Sequence, residues 1–231
     1  MIIWPISNLP IEPDDSLIIV TKRGDDLEPI RSAWLQRIPC EITFVEMESL
    51  SEGPASTVEA TFGELDLELP MVVLNSDQYV NSTLTDYIEH LRNSSDQDFG
   101  SIVTMFATGT KWSYIGRNID GGIERVVEKQ QISSEATVGI YGWTRAQLFV
   151  DSLESMKRAD FRINNEFYVA PTFNYLIDKG IKIVTFDVGS VGQSVHGLGT
   201  PEDFSKFLTS EVFRSSLTSI KRSFLPQNVN T

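Results

Sequence analysis

Two places in the sequence put side chains of the right type at a spacing that suits chemistry. The first is Met71-Val72-Val73-Leu74-Asn75-Ser76-Asp77, an apolar run that ends in a carboxylate. Four apolar residues in succession predict a strand buried on both faces and central in its sheet. Asp77 then stands just past the strand's carboxyl end, where open α/β sheets bind ligands. A carboxylate there can hold a divalent cation that in turn holds phosphates. The same residue equally suits a turn or a helix cap, and the strand pattern alone divides the two readings evenly. The second place is Glu128-Lys129, adjacent opposite charges that close a strand. On residue type alone such a pair is a solvated strand end worth little energetically.

The elements that must position these groups alternate along the first half. Strands are expected at residues 16–21, 41–46 and 71–74, with helices at 25–36, 54–62 and 82–92. Leu84, Ile88 and Leu91 share one face of the third helix. This β-α-β-α-β-α order predicts a parallel sheet covered by helices. The second half reads as a strand at 101–106, then a hairpin of 111–117 and 122–128 around Asn118-Ile119-Asp120-Gly121. A strand at 135–141, helices at 145–156 and 170–178, and a strand at 181–186 follow. Thr200-Pro201-Glu202-Asp203 starts a further helix, with threonine as the cap and acids in the first turn. With no repeat or linker in view, a single domain over residues 1–231 is expected.

Composition narrows the partners. The 231 residues carry a formal charge of −13, from 32 acidic and 19 basic side chains. Such a surface repels nucleic acid, so an anionic ligand needs a bridging cation, a few lysines or backbone amides. Cys40 is the only cysteine, which rules out an internal disulfide and points to the cytoplasm. There is no apolar run of about 18 residues and no basic start leading into an apolar core, so no membrane association is expected. Two histidines and one cysteine are too few for a zinc site. Trp4, Trp34, Trp112 and Trp143 read as packing residues, His90 as a helix-face residue, and Cys40 as buried. Lys111 and Arg117 read as solvent-facing.

The motifs become more specific in series than singly. They run Glu52-Gly53-Pro54-Ala55, Leu74-Asn75-Ser76-Asp77, Val127-Glu128-Lys129 and Ala136-Thr137-Val138-Gly139-Ile140-Tyr141. Asn165-Glu166-Phe167-Tyr168 and Gly197-Leu198-Gly199-Thr200-Pro201-Glu202-Asp203 complete the set. This series resembles the sugar-phosphate nucleotidyltransferases that make nucleotide-activated sugars, in particular relatives from capsule and lipopolysaccharide gene clusters. The resemblance runs over nearly the whole chain from about Ile2. It implies the nucleotide-diphospho-sugar transferase fold, a three-layer α/β/α sandwich around a mostly parallel mixed sheet. It also implies roles: Glu52, Gly53 and Ala55 meet the nucleotide base, and Asp77 binds Mg²⁺ beside the phosphates. Glu128 and Lys129 meet the sugar hydroxyls and the phosphate, Gly139 brings a backbone amide to the sugar, and Glu166 also meets the sugar. Asp77 and Lys129 are the catalytic pair of this reading, whose substrates are a nucleotide and a sugar phosphate.

The sequence departs from that pattern twice. The family's Gly-x-Gly-x-Arg loop and its following lysine are not seen, and about one βα unit, roughly 30 residues, is expected to be absent ahead of Ile2. Gly197 stands where the family often places a second metal-binding aspartate. Three functions follow: nucleotidyl transfer, a non-catalytic relative acting as a nucleotide-sugar-binding or partner subunit, and a glycosyltransferase on the same fold. Loss of a βα unit leaves a strand edge open, so a homo-oligomer is expected.

Overall fold

The computed structural model describes residues 2–27, 38–82, 84–94 and 97–224. Ten strands are placed: β1 Ser16–Lys22, β2 Glu41–Met47, β3 Met71–Leu74, β4 Gln78–Val80, β5 Phe99–Phe106, β6 Ser113–Arg117, β7 Ile123–Glu128, β8 Glu135–Trp143, β9 Lys182–Ser190 and β10 Val195–Gly197. The main sheet runs β7-β6-β8-β5-β9, with β3 also paired to β8. β8 is antiparallel to β3, β5 and β6, β7 is antiparallel to β6, and β9 is parallel to β5. Thus β3, β5, β6 and β9 share one direction. The sheet is mostly parallel in strand direction, although only its β5–β9 pair is parallel by hydrogen bonding.

Strand alternation explains how a sheet so rich in apolar residues is covered. Ile102, Ile115, Tyr141 and Trp143 enter one cluster, with Phe149 and Leu153 of the helix Ala146–Arg158 and Phe173 of the helix Thr172–Asp178. Val103, Tyr114, Val138 and Ile140 enter a second cluster, with Leu84 and with Tyr87, Ile88 and Leu91 of the helix Thr85–Arg92. In the first cluster Trp143 stacks on Phe173 at 4.9 Å and tilts against Phe149 at 4.8 Å. Each such ring pair adds about 0.5–1.5 kcal/mol beyond area burial.

β3 corrects the expectation of a central strand. Met71 and Val73 pack into the first cluster and Val72 and Leu74 into the second, so both faces are covered as the apolar run demands. Among the described residues, however, β3 is paired on one side only, and Val72, Val73 and Leu74 remain half-buried. The continuous sheet expected of the first three strands is also corrected. β1 and β2 form a separate parallel pair with their own cluster, in which Ile6, Ile19 and Ile38 are buried and Ile2, Ile3, Cys40 and Phe44 pack around them. Burial raises the Cys40 thiol pKa, in keeping with a packing role.

The helix expected at 25–36 lies largely outside the described residues, as does Trp34. The short helix Ile3–Ile6 bridges two packing units: Ile6 enters the β1–β2 cluster while Trp4 meets Tyr79, Phe207 and Phe213. The hairpin turn forms as expected, with the Asn118 side chain accepting from the amides of Asp120 and Gly122. Among the described residues no helix is long and apolar enough to cross a membrane.

Candidate functional site

The Glu52–Ala55 turn is clipped to the segment that carries Glu166. Phe167 donates its amide to the Glu52 carbonyl at 2.8 Å, and Ala55 donates to the Phe167 carbonyl at 2.9 Å. Gly53 makes this approach possible. Its φ is +124°, and a Cβ there would sit 2.7 Å from the Phe167 backbone N and O and 2.9 Å from the Glu166 Cβ. Arg162 ties the same corner, bonding Glu52 at 3.2 Å and lying 4.0 Å over the Phe167 ring. The two segments that the sequence reading assigned to base and sugar are therefore neighbours.

Glu128 and Lys129 join this corner through Tyr168. Lys129 Nζ donates to the Tyr168 hydroxyl, which donates to Glu166 Oε2, and the ammonium lies 4.4 Å from the Tyr168 ring centroid. Lys129 adopts φ +57° and its amide donates to the Trp112 carbonyl at 3.0 Å, which turns the chain sharply as β7 ends. Glu128 accepts from Ser113, its cross-strand partner on β6, and Tyr141 bonds Thr137 at 2.9 Å beside them. Burial raises the Glu128 carboxyl pKa above the ordinary range, with Glu166 adding to the rise and Ser113 and Lys129 opposing it. The Tyr168 hydrogen bond raises the Lys129 pKa.

Asp77 lies on a separate segment. Its carbonyl accepts from Leu198 at 2.6 Å, and its carboxylate lies against Gly199, where a Cβ would meet Oδ2 at 2.5 Å. The antiparallel pair β4–β10 holds the two segments in register. Desolvation raises the Asp77 pKa, and no ion pair reaches its carboxylate among the described residues. Asn75 connects this segment to β8: it donates to the Gly139 carbonyl at 2.8 Å, and its Cγ fills the space a Gly139 Cβ would need, 2.7 Å away. Gly139 itself has φ +82°. No hydrogen bond or ion pair joins Asp77 to Glu128, Lys129 or Glu166 among the described residues.

The donor set for a divalent cation is narrow. Asp203 lies 3.7 Å from where a Gly197 Cβ would be, but its carboxylate is already bonded by Thr200 at 2.8 Å and by Lys111 at 3.4 Å. Among the described residues no three His, Cys, Asp or Glu side chains gather as a cage. What remains is one desolvated carboxylate without a counter-charge. That fits Mg²⁺, which keeps several waters and is bound by one or two carboxylates plus substrate phosphates.

Sequence reasoning gave no role to Tyr168, Ser113 or Arg162. Tyr168 stood inside a quoted motif, but no sequence rule ties it to Lys129, 39 residues away. Thr200 caps its helix as expected, accepting from the Asp203 amide at 3.1 Å. Arg117 pairs with Glu135 at 2.7 Å, and Trp143 is a core residue.

No known family profile matches the chain, and no curated protein sequence matches it. Solved structures do match over most of their length. The nucleoside-diphosphate-sugar pyrophosphorylase from Vibrio cholerae RC9 is similar with a TM-score of 0.69 and 20% identity, over 85% of this chain and 82% of that one. A UDP-glucose pyrophosphorylase complexed with UDP-glucose gives 0.66 and 15%, over 89% and 81%. The inositol-1-phosphate CTP transferase from T. maritima gives 0.62 and 13%, over 94% and 79%. The chain shares the fold of these sugar-phosphate nucleotidyltransferases.

Proposed function

We propose that this protein transfers a nucleotidyl group from a nucleoside triphosphate to a sugar phosphate or a similar phosphorylated small molecule. A phosphate oxygen of the acceptor attacks the α-phosphorus, the bond to the β-phosphate breaks, and pyrophosphate leaves. One observation carries this reading: the Glu52–Ala55 turn, Glu128, Lys129 and Glu166 form one connected corner on a fold shared with pyrophosphorylases. The two clusters on opposite faces of the main sheet support the three-layer α/β/α form of that fold.

Lys129 holds the attacking phosphate, while Glu128 and Glu166 accept hydrogen bonds from sugar hydroxyls. Backbone groups of Glu52, Gly53 and Ala55 border the base, and the Gly139 backbone approaches the sugar. Asp77 is the residue that would hold Mg²⁺, which when bound neutralises phosphate charge. Catalysis then rests on positioning and electrostatics, since a phosphate oxygen is already a competent nucleophile. The reading extends to surface-polysaccharide precursor synthesis in the cytoplasm and to a homo-oligomer. Among the described residues the outer edge of β3 is unpaired, which supports the latter. Light scattering that gives 25.9 kDa at micromolar concentration overturns the oligomer.

Gly197 favours a second reading, in which the cleft binds a nucleotide-sugar without turnover. Calorimetry with nucleoside triphosphate plus Mg²⁺, set beside a nucleotide-sugar panel and a pyrophosphate-release assay, separates the two. Sugar phosphate or nucleotide-sugar is expected to bind at least ~10-fold more tightly than free triphosphate, about 1.4 kcal/mol, with slow pyrophosphate release. Tight nucleotide-sugar binding with no release at all selects the second reading. Binding of neither ligand sinks both.

A further inference from the structure

The Lys129–Tyr168–Glu166 chain has only one possible polarity. An ammonium can only donate, an ionised carboxylate can only accept, and a phenol has one proton to give. Lys129 therefore donates to the Tyr168 oxygen, and Tyr168 donates to Glu166. This requires a neutral phenol. Burial raises the Tyr168 pKa, and its bond to Glu166 adds to the rise.

The phenol also occupies a particular place between two opposite charges. Lysine is a compact charge on a flexible four-carbon stem, free to seek the nearest carboxylate. Two carboxylates stand close enough to act on its charge, Glu128 and Glu166. Glu128 is engaged by Ser113. Glu166 would be the natural direct partner, yet the Tyr168 hydroxyl lies between, and the ring face sits 4.4 Å from the ammonium. Of the three ammonium protons, one is committed to the phenol and two are left to donate elsewhere.

We propose that Tyr168 is the positioning residue of this corner, holding the Lys129 ammonium off the Glu166 carboxylate so that lysine stays aimed at a phosphate monoester and Glu166 stays available to a sugar hydroxyl. This rests on the sugar-phosphate reading above. Tyr168→Phe removes the bridge with almost no change in shape. Lys129 then closes onto Glu166, and glucose 1-phosphate binds about 10-fold more weakly by calorimetry, ~1.4 kcal/mol. UTP affinity stays within about twofold, since a triphosphate is held elsewhere.

A double-mutant cycle separates spacing from general support. In a Glu166→Gln background the one neighbouring carboxylate that remains, Glu128, is engaged by Ser113, so adding Tyr168→Phe weakens glucose 1-phosphate by less than about threefold. An undiminished 10-fold loss in that background overturns the proposal. A crystal structure of Tyr168→Phe without ligand supplies a readout that needs no substrate: Lys129 is expected in direct contact with Glu166, and a lysine that stays in place overturns the proposal. If the unaltered protein binds no glucose 1-phosphate, the sugar-phosphate reading falls. Capture of Lys129 by Glu166 in the variant then upholds the spacing role by itself.

Discussion

The two groups of candidate site residues are built to different densities. On the Glu128–Lys129–Glu166 side every charged group has a partner: Ser113 serves Glu128, Tyr168 serves Lys129 and Glu166, and Arg162 serves Glu52. On the other side Asp77 stands over Gly199 with only its own backbone amide opposing the cost of burial, and no side-chain partner reaches its carboxylate among the described residues. A satisfied network fixes geometry before any ligand arrives, whereas a lone desolvated carboxylate gains most from a cation that comes with the ligand. On the proposed reading the first group would be preorganised for a small phosphorylated molecule, and Asp77 would take its counter-charge from a cation that arrives with the ligand.

That contrast breaks most directly under paired substitutions. Asp77→Ala is expected to weaken Mg²⁺-dependent triphosphate binding by about 10- to 100-fold, the loss of one charge-assisted contact of ~1.5–3 kcal/mol. It should leave glucose 1-phosphate within about twofold. Lys129→Met should do the reverse, with a loss of similar size on the sugar-phosphate side. Calorimetry on both variants measures the crossover, and equal losses of both ligands in either variant would erase the distinction.

Gly53→Ala tests the joint between the Glu52–Ala55 turn and the Glu166 segment. The added Cβ meets Phe167 backbone and must adopt φ +124°. A cost of about 1–3 kcal/mol is expected, or roughly 3–10 °C in thermal midpoint for a chain of this size. Calorimetric scanning should show that drop along with weaker glucose 1-phosphate binding.

pH sharpens the comparison further. The Glu128 pKa is raised on folding, so the folded protein holds its proton more tightly than the unfolded chain does. Its contribution to stability is therefore largest below the unfolded carboxyl range and is lost as pH rises through the folded pKa. Glu128→Gln removes that penalty. Its midpoint at pH 7 should exceed the wild-type value by roughly 2–4 °C, or ~1 kcal/mol, and the gap should close as pH is lowered into the carboxyl range. A gap that widens on acidification would reverse the sign.

The smallest effect is expected at Thr200→Ala. Loss of the cap costs about 1 kcal/mol and loosens the Gly199 segment against Asp77. Triphosphate affinity should fall by no more than about threefold while sugar-phosphate affinity stays fixed.

Much of the fold could be read from periodicity because one physical rule, coverage of apolar faces, governs it. Leu84, Ile88 and Leu91 do pack together, and the Met71–Leu74 run is covered on both sides. Pairing is a different matter, since periodicity does not reveal whether a neighbour fills the next strand position. Within the site, the turn chemistry of Asn118–Gly121 locates the hairpin but not its partners. Counting back from Arg117↔Ile123 would set Ser113 opposite Val127, whereas a bulge after Gly116 shifts the register and brings Ser113 to Glu128. Tyr168 and Arg162 act across long stretches of sequence, and no local rule carries that information.

Among the described residues β3 is paired on one side only, and that governs how fast its backbone trades protons with solvent. Asn75 donates to Gly139, so by strand alternation Val73 faces β8 while Val72 and Leu74 turn their amides outward. Across the same sheet, the Asn174 side chain accepts from the Val126 amide at 2.8 Å and donates to its carbonyl at 2.9 Å, closing the outer edge of β7 as a strand would. In deuterated water Val72 and Leu74 should therefore exchange well ahead of Val73 and Val126, although all four lie in the same sheet. An added strand that slows just those two amides would reveal its register on β3.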